Sequence, residues 1–195
     1  FGCHGTTEYL LDSNGNEREQ ANYCYVPSTW AENIVEQAEK DGLRLSYHTP
    51  YRLNIHRDEF CKLAWQTIQT VNPNINLPEL AQPFSDCDED IVRQIAALGI
   101  VTGYEDGTFQ PTRELSRQEA AVILQRLYTV LYGKIEASPT LYADNGSIGV
   151  WAKNSVYAMR QTGIMQGVGT NRFDPKNGYT CEQALVTMLR MTQKA

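Results

Sequence analysis

Two arginines of this sequence stand where they could bind an anion. Arg57 lies in the run 55–59 (Ile-His-Arg-Asp-Glu) and Arg117 in the run 115–119 (Leu-Ser-Arg-Gln-Glu), each at the predicted start of a helix. The N–H groups of a helix N-terminus favour an anion, and a guanidinium binds a carboxylate through two parallel hydrogen bonds. Because a cation opposes the helix dipole at this end, its recurrence indicates binding.

Four further residues are candidates for ligand binding: Trp30, Trp151, Asp86 and Asp144. A tryptophan can stack on a sugar ring, but its apolar neighbours at a helix start favour a place in the core. The two aspartates are expected to cap the helices that follow them. An alternative stays open, in which they form salt bridges with Arg57 and Arg117 and leave no cation for a ligand.

The other polar residues form no catalytic or metal-binding pattern. The histidines (His4, His48 and His56) lack metal spacing, and there is no Cys-x-x-Cys pair, phosphate loop or nucleophile elbow. No two acidic residues stand out as the catalytic carboxylate pair of a glycosidase. Glu59 and Glu119 are expected to be helix-capping residues. We therefore expect no catalytic residue, no metal site and no cofactor.

The composition narrows the class of partner. The chain has 195 residues, 42% of them hydrophobic, and a net charge of −6. This negative charge argues against binding nucleic acid, which needs a basic face. No apolar run reaches the roughly 18 residues that a membrane-spanning helix requires, so no membrane span is expected.

The cysteines and the N-terminal segment carry less information. Cys3 and Cys24 flank a polar segment and could form a disulfide in an exported chain, with free thiols as the alternative. The other cysteines, which lie in or beside predicted helices, are expected to be small buried side chains: Cys61, Cys87 and Cys181. An Asn14-Gly15 turn predicts a hairpin within a short N-terminal arm.

The elements that must position the candidate residues recur three times. In each copy a first helix ends at a glycine followed by an apolar residue: Gly42-Leu43, Gly99-Ile100 and Gly163-Ile164. Glycine at this position is typical of a helix C-cap. A second helix is predicted to begin near Arg57, Arg117 and Cys181, and the last two starts carry capping boxes, Ser116 with Glu119 and Thr180 with Gln183.

A turn-rich loop separates the two helices of each copy. In the second copy it runs through 103–111, with a tight turn at Asp106-Gly107 and an apolar anchor at Phe109. The third copy has a similar loop at 167–175, whereas 46–53 in the first copy contains no glycine. Since one helix pair cannot bury its apolar faces alone, the three copies are expected to share one core.

These motifs resemble the S-layer homology (SLH) repeat. The second copy matches at 84–86, 99–100, 103–111 and 116–119; the third at 142–144, 151–152, 163–164, 173–175 and 180–183; the first only at 30–31, 42–43 and 57–59. The resemblance implies a mainly α fold in which three pseudo-symmetric helix-loop-helix repeats surround a central helical bundle in a three-pronged arrangement. The expected divisions are an arm at 1–26 and repeats at 27–72, 82–133 and 140–195, with the first and third repeats degenerate.

The resemblance also implies a function. SLH repeats attach surface proteins non-covalently to the cell wall of Gram-positive-type bacteria by binding acidic, often pyruvylated, secondary cell-wall polysaccharide in grooves between repeats. Arg57 and Arg117 would be the main anion contacts, and the chain would be extracellular. The third repeat has Cys181 in place of the arginine, which predicts a weakened groove. The alternative is a degenerate module, structural or binding other surface proteins; an enzyme acting on wall glycan ranks third.

Overall fold

The computed structural model describes residues 9–11, 17–19, 25–47 and 49–194. It contains two short strands and six α-helices: β1 (Tyr9–Leu11), β2 (Glu17–Glu19), α1 (Glu32–Lys40), α2 (Arg57–Val71), α3 (Asp90–Ala97), α4 (Arg117–Tyr132), α5 (Lys153–Gln161) and α6 (Cys181–Thr192). The prediction of a mainly α fold is confirmed. No helix in the described ranges combines the length and apolar character needed to cross a membrane.

The N-terminal strands pair in antiparallel register, with Leu10 opposite Arg18. This pairing is what the predicted hairpin requires. The Asn14-Gly15 turn, Cys3, Cys24, His4 and His48 lie outside the described residues.

The first helix of each repeat ends in the predicted glycine cap. Gly42, Gly99 and Gly163 have φ values of +89°, +73° and +74°, which side chains other than glycine adopt at a cost. The next N–H group turns back into the helix, as Leu43 N–H does to the carbonyl of Ala38 at 2.9 Å. Leu43, Ile100 and Ile164 are fully buried as a result.

The second helices differ at their starts. Both predicted capping boxes form: Ser116 with Glu119, and Thr180 with Gln183. His56 makes no capping bond through its side chain. Without a hydroxyl there, Glu59 accepts hydrogen bonds from the N–H and Oγ of Ser46, at 2.5 and 2.6 Å. The prediction that Glu59 caps its helix is therefore wrong.

Helices pack mainly across repeats. The first helix of each repeat lies against the second helix of another: α1 against α6, α3 against α2, and α5 against α4. The helix α2 also contacts α4 and α6. The buried apolar side chains of all three repeats accordingly form one continuous cluster, as the shared-core prediction requires.

A ring of backbone hydrogen bonds joins the starts of the three second helices. The N–H of Ile55 donates to the carbonyl of Tyr179 (2.8 Å), that of Tyr179 to Leu115 (2.9 Å), and that of Leu115 to Ile55 (3.1 Å). All three side chains are buried. The ring brings Arg57, Arg117 and the corresponding Cys181 close to one centre. The three-pronged outline and the repeat boundaries stay predictions.

Candidate functional site

The first N–H groups of the second helices are already engaged. Arg57 N–H donates to the carbonyl of Arg113 at 3.1 Å, and Asp58 N–H donates to that of Pro111 at 3.0 Å. In the next repeat Arg117 N–H donates to Asn177 at 3.0 Å in the same way. The expectation that these groups bind a ligand is therefore wrong, because the loop of the following repeat occupies them.

The side chain of Arg57 reaches across to the second repeat. Its Nε donates to the carbonyl of Phe109 and its Nη2 to that of Thr102, both at 2.9 Å. The guanidinium lies 4.5 Å from the centre of the Phe109 ring and 5.1 Å from that of Tyr104. Only 8% of Arg57 is exposed. The two carbonyls and the two aromatic rings thus fix the orientation of the guanidinium.

Arg117 repeats this arrangement one repeat further on. Its Nε and Nη2 donate to the carbonyls of Phe173 and Gln166, both at 2.9 Å, and its Nη1 donates to Oε1 of Gln183 at 3.2 Å. Arg117 is 4% exposed, and this burial lowers the pKa of its guanidinium from the ordinary value. A nearby anion stabilises a charged group that is shielded from water to this extent.

Neither arginine pairs with a carboxylate in the described part of the chain. The salt-bridge alternative with Asp86 and Asp144 is therefore wrong. Asp86 instead accepts hydrogen bonds from the N–H groups of Phe109 and Gln110, at 2.7 and 2.8 Å.

Asp144 makes the same contacts with Phe173 and Asp174, at 2.9 and 2.8 Å. Gln110 and Asp174 both have left-handed backbone, with φ of 57° and 58°. The capping interpretation of Asp86 and Asp144 is wrong because these carboxylates hold the loop that carries the phenylalanine, not the helix that follows.

Acid is expected to weaken the hydrogen bonds that Asp86 and Asp144 accept from these loops. Backbone hydrogen bonds lower the pKa of Asp86; in Asp144 burial raises the pKa, but the N–H groups of Phe173 and Asp174 lower it overall. A carboxyl with a lowered folded-state pKa stabilises the fold above its unfolded pKa of about 3.9, and this contribution disappears as pH falls through the folded value. Thermal melts between pH 7 and pH 2 should lose stability below about pH 4, with a smaller loss in Asp144→Asn. An equally steep loss in Asp144→Asn would contradict this.

Two grooves open beside the arginines. The first groove, about 170 Å³, is lined by residues that include Arg57, Thr102, Glu119, Val122, Arg126 and Trp151. The second groove, about 420 Å³, is lined by residues that include Arg117, Gln166, Gly167, Glu182, Arg190 and Trp30. Each groove combines an arginine from one repeat, the loop and second helix of the next, and a tryptophan from the remaining one.

Both tryptophans lie at the surface. Trp30 is 54% exposed and Trp151 is 60% exposed, so the interpretation that favoured the core is wrong. The alanine that follows each one, Ala31 or Ala152, is fully buried and takes the core position instead. A side chain next to a core residue can point outward, and the sequence did not separate the two roles.

Arg126 and Arg190 were missed by sequence reasoning. Each stands at the same position of its second helix, on the face that also carries a groove residue seven positions earlier, Glu119 or Gln183. Such spacing places both members of a pair on one helix face. The repeat of arginine at this position was the available signal.

The third groove, around Cys181, lacks these features. It measures about 210 Å³ and is lined by Thr49, Pro50, Leu53, Asn54, His56, Asp58, Glu59 and Cys181. Cys181 stands in the place of Arg57 and Arg117, and Gln66 in that of Arg126 and Arg190. The position corresponding to the tryptophans, counted back from Gly99, is Cys87. Among the residues that the structure describes, this groove therefore offers an anionic sugar no cation or aromatic ring equivalent to those of the other two grooves.

The thiol of Cys181 is expected to be unreactive. Burial above all, together with nearby carboxylates such as Glu59, raises its pKa to about 12. Iodoacetamide at pH 8 should label Cys181 only in denaturant, because almost no thiolate is present in the folded chain. Peptide mass spectrometry measures this. Labelling in the native protein at the rate of free cysteine would contradict it.

The predicted burial of the remaining cysteines is confirmed for Cys61 and Cys87, which are free thiols.

Comparison with known proteins agrees with these features. The family model of the S-layer homology domain matches residues 85–121 and 146–180. The S-layer protein of Bacillus thuringiensis subsp. finitimus is 32% identical over 100 residues, which cover 51% of this chain and 12% of that protein. The S-layer protein sap of Bacillus anthracis is 31% identical over 100 residues, with the same coverage of 51% and 12%.

An amylopullulanase of Thermoanaerobacterium thermosulfurigenes is also similar, at 24% identity over 182 residues. The alignment covers 87% of this chain but 9% of the amylopullulanase. The chain thus spans a small part of the length of these relatives. The segments 85–121 and 146–180 contain Asp86, Arg117, Trp151 and the loops of the second and third repeats, and both are S-layer homology domains.

Proposed function

We propose that this chain anchors a surface protein to the bacterial cell wall by binding an acidic secondary cell-wall polysaccharide. S-layer homology domains bind cell-wall polymers in general, and the relatives include S-layer proteins. The observation that carries the proposal is the pair of buried arginines, Arg57 and Arg117. Each lines a groove and has no carboxylate partner among the described residues.

The chemistry of the grooves suits a sugar that bears a carboxylate. Nη1 of Arg57 has no hydrogen-bond acceptor in the described part of the chain, so it is available to an anion. A pyruvate ketal supplies such an anion on a polar ring, and a guanidinium binds it with charge-assisted hydrogen bonds. Trp151 supports the proposal as a flat face for the ring, and Arg126 as a second cation.

The third groove favours a structural role for part of the module. It keeps the backbone hydrogen bonds of Tyr179 and the helix that begins at Cys181, but it lacks the arginines and the tryptophan of the other grooves. We therefore propose two binding grooves and one structural groove. The idea of a degenerate, non-binding module then applies to the third groove alone.

Co-sedimentation with purified cell walls tests the proposal. Intact walls should retain the protein, and walls stripped of secondary polysaccharide should not. Free polysaccharide with its pyruvate ketals should compete better than the same polymer without them. Equal retention by stripped walls would overturn the proposed anchoring, and equal competition would overturn the preference for pyruvate.

Removing the groove tryptophans should weaken wall binding without unfolding the protein. Trp30→Ala plus Trp151→Ala removes two exposed rings, and truncating a tryptophan that anchors a ligand typically costs about 1 kcal/mol or more, so binding should fall about tenfold or more. The matched control is Val150→Ala, since Val150 is 86% exposed, neighbours Trp151 and does not line the first groove. Binding of the double variant equal to that of the control would contradict this.

A further inference from the structure

The segment that carries Trp30 is tied to the second groove by a buried carboxylate. Glu182, the second residue of α6, accepts hydrogen bonds from the N–H and the Oγ of Ser28, both at 2.8 Å. Ser28 lies two positions before Trp30, and Glu182 is buried. Arg52 holds the residues just before, donating to the carbonyls of Val26 and Pro27 at 2.9 and 3.0 Å.

The same contact recurs in the first groove. Gln118, the second residue of α4, accepts a hydrogen bond from the N–H of Gly149 at 2.9 Å. Gly149 lies two positions before Trp151. A Cβ at residue 149 would lie 2.6 Å from Nε1 of Trp151, so the indole folds closely over this backbone. One groove thus uses a carboxylate and the other an amide at an equivalent place.

The third groove supplies an internal comparison. Asp58, the second residue of α2, accepts a hydrogen bond from the N–H of Glu59 at 2.7 Å and lies 4.0 Å from Nζ of Lys62. The second residue of the second helix thus bonds to the backbone before a tryptophan in both grooves that have one, Glu182 to Ser28 and Gln118 to Gly149.

Contacts of the preceding backbone help to fix these tryptophans, because neither ring is enclosed by the core. More than half of each side chain is exposed, so the position of the ring depends on where the preceding backbone is held. The bonds from Ser28 also occupy both oxygens of Glu182, which lines the same groove as Arg117 and Arg190. In the described residues this carboxylate pairs with neither arginine.

We infer that Glu182 and Gln118 are positioning residues, which set Trp30 and Trp151 against the sugar-binding face of their grooves. Glu182 has the second task of remaining bound to Ser28, so that Arg117 keeps its charge available to an anion. This inference rests on the proposed function of the grooves. The positioning of Trp30 and Trp151 can be tested without any ligand.

Two backgrounds with a single tryptophan test the positioning directly. Trp65→Phe with Trp151→Phe leaves only Trp30, and Trp65→Phe with Trp30→Phe leaves only Trp151. Acrylamide quenching of the remaining tryptophan should rise with Glu182→Ala in the Trp30 background alone, and with Gln118→Ala in the Trp151 background alone. Glu182→Gln retains an acceptor and should restore most of the protection. Quenching that is unchanged, or raised equally in both backgrounds, would overturn the inference.

Wall binding then separates positioning from the proposed function. With all tryptophans present, Glu182→Ala should bind intact walls about tenfold more weakly, and Glu182→Gln should recover most of the loss. If the parent binds and Glu182→Ala binds equally well, the positioning role is wrong while the anchoring function stands. If the parent does not bind intact walls, the proposed function fails, whatever the quenching experiment gives.

Discussion

The segment 82–133, expressed alone, is expected to remain unfolded although it contains the best-preserved repeat of the sequence. Its helices α3 and α4 make their main contacts with α2 and α5, which belong to the neighbouring repeats. Buried residues such as Val92, Ile95 and Leu127 would lose these partners. Each exposed large aliphatic side chain costs about 1.5–3 kcal/mol, and a few of them exceed the stability of an ordinary domain.

Circular dichroism and a thermal melt of the isolated segment measure this. The full chain is the control and should unfold in one cooperative transition. A second control is the chain cleaved once in the exposed connection at 73–83, whose two fragments should stay associated through α2 with α3 and α1 with α6. A cooperative melt of 82–133 alone would contradict the expectation, because it would mean that a single repeat has a sufficient core.

Local features of the fold could be predicted because local chemistry determines them. Gly42, Gly99 and Gly163 cap helices since few other residues adopt their backbone angles, and the Ser116 capping box uses residues of one turn. The apolar spacing was likewise enough to identify each amphipathic helix. These features depend on neighbours in the chain.

Long-range contacts were the part that sequence reasoning missed. Asp86 was expected to cap the nearest helix, but its carboxylate reaches a loop 23 residues away. Trp30 was assigned to the core because its neighbours are apolar, although only the next residue is buried. Arg126 was not identified as a site residue because Arg57, which lines the same groove, belongs to another repeat. These errors share a cause in tertiary structure: Asp86 reaches a distant loop of its own repeat, whereas Arg57 and Arg126 meet at one groove from different repeats.

Replacing Arg57 and Arg117 together by alanine is expected to abolish wall binding. Two grooves on one molecule bind a polymer with an avidity that exceeds single-site affinity by about 10²–10⁴. Losing one groove forfeits this gain, and losing both removes the main anion contacts. Each single variant should therefore bind walls about a hundredfold more weakly, and the double variant should show no retention. Sedimentation with intact walls over a range of protein concentrations gives these ratios.

The control must separate binding from stability, because both arginines also hold loops. Arg57 bonds to the carbonyls of Phe109 and Thr102, so its loss will lower the melting temperature as well as wall affinity. Arg126→Ala leaves these contacts in place and removes a second cation that lines the first groove; Arg190 is unsuitable for this control because it donates to the carbonyl of buried Ile164 at 3.2 Å. If Arg126→Ala weakens binding in a salt-dependent way at an unchanged melting temperature, charge in the first groove binds the polymer. If instead binding of every variant follows its melting temperature alone, the arginines are structural and the binding surface lies elsewhere.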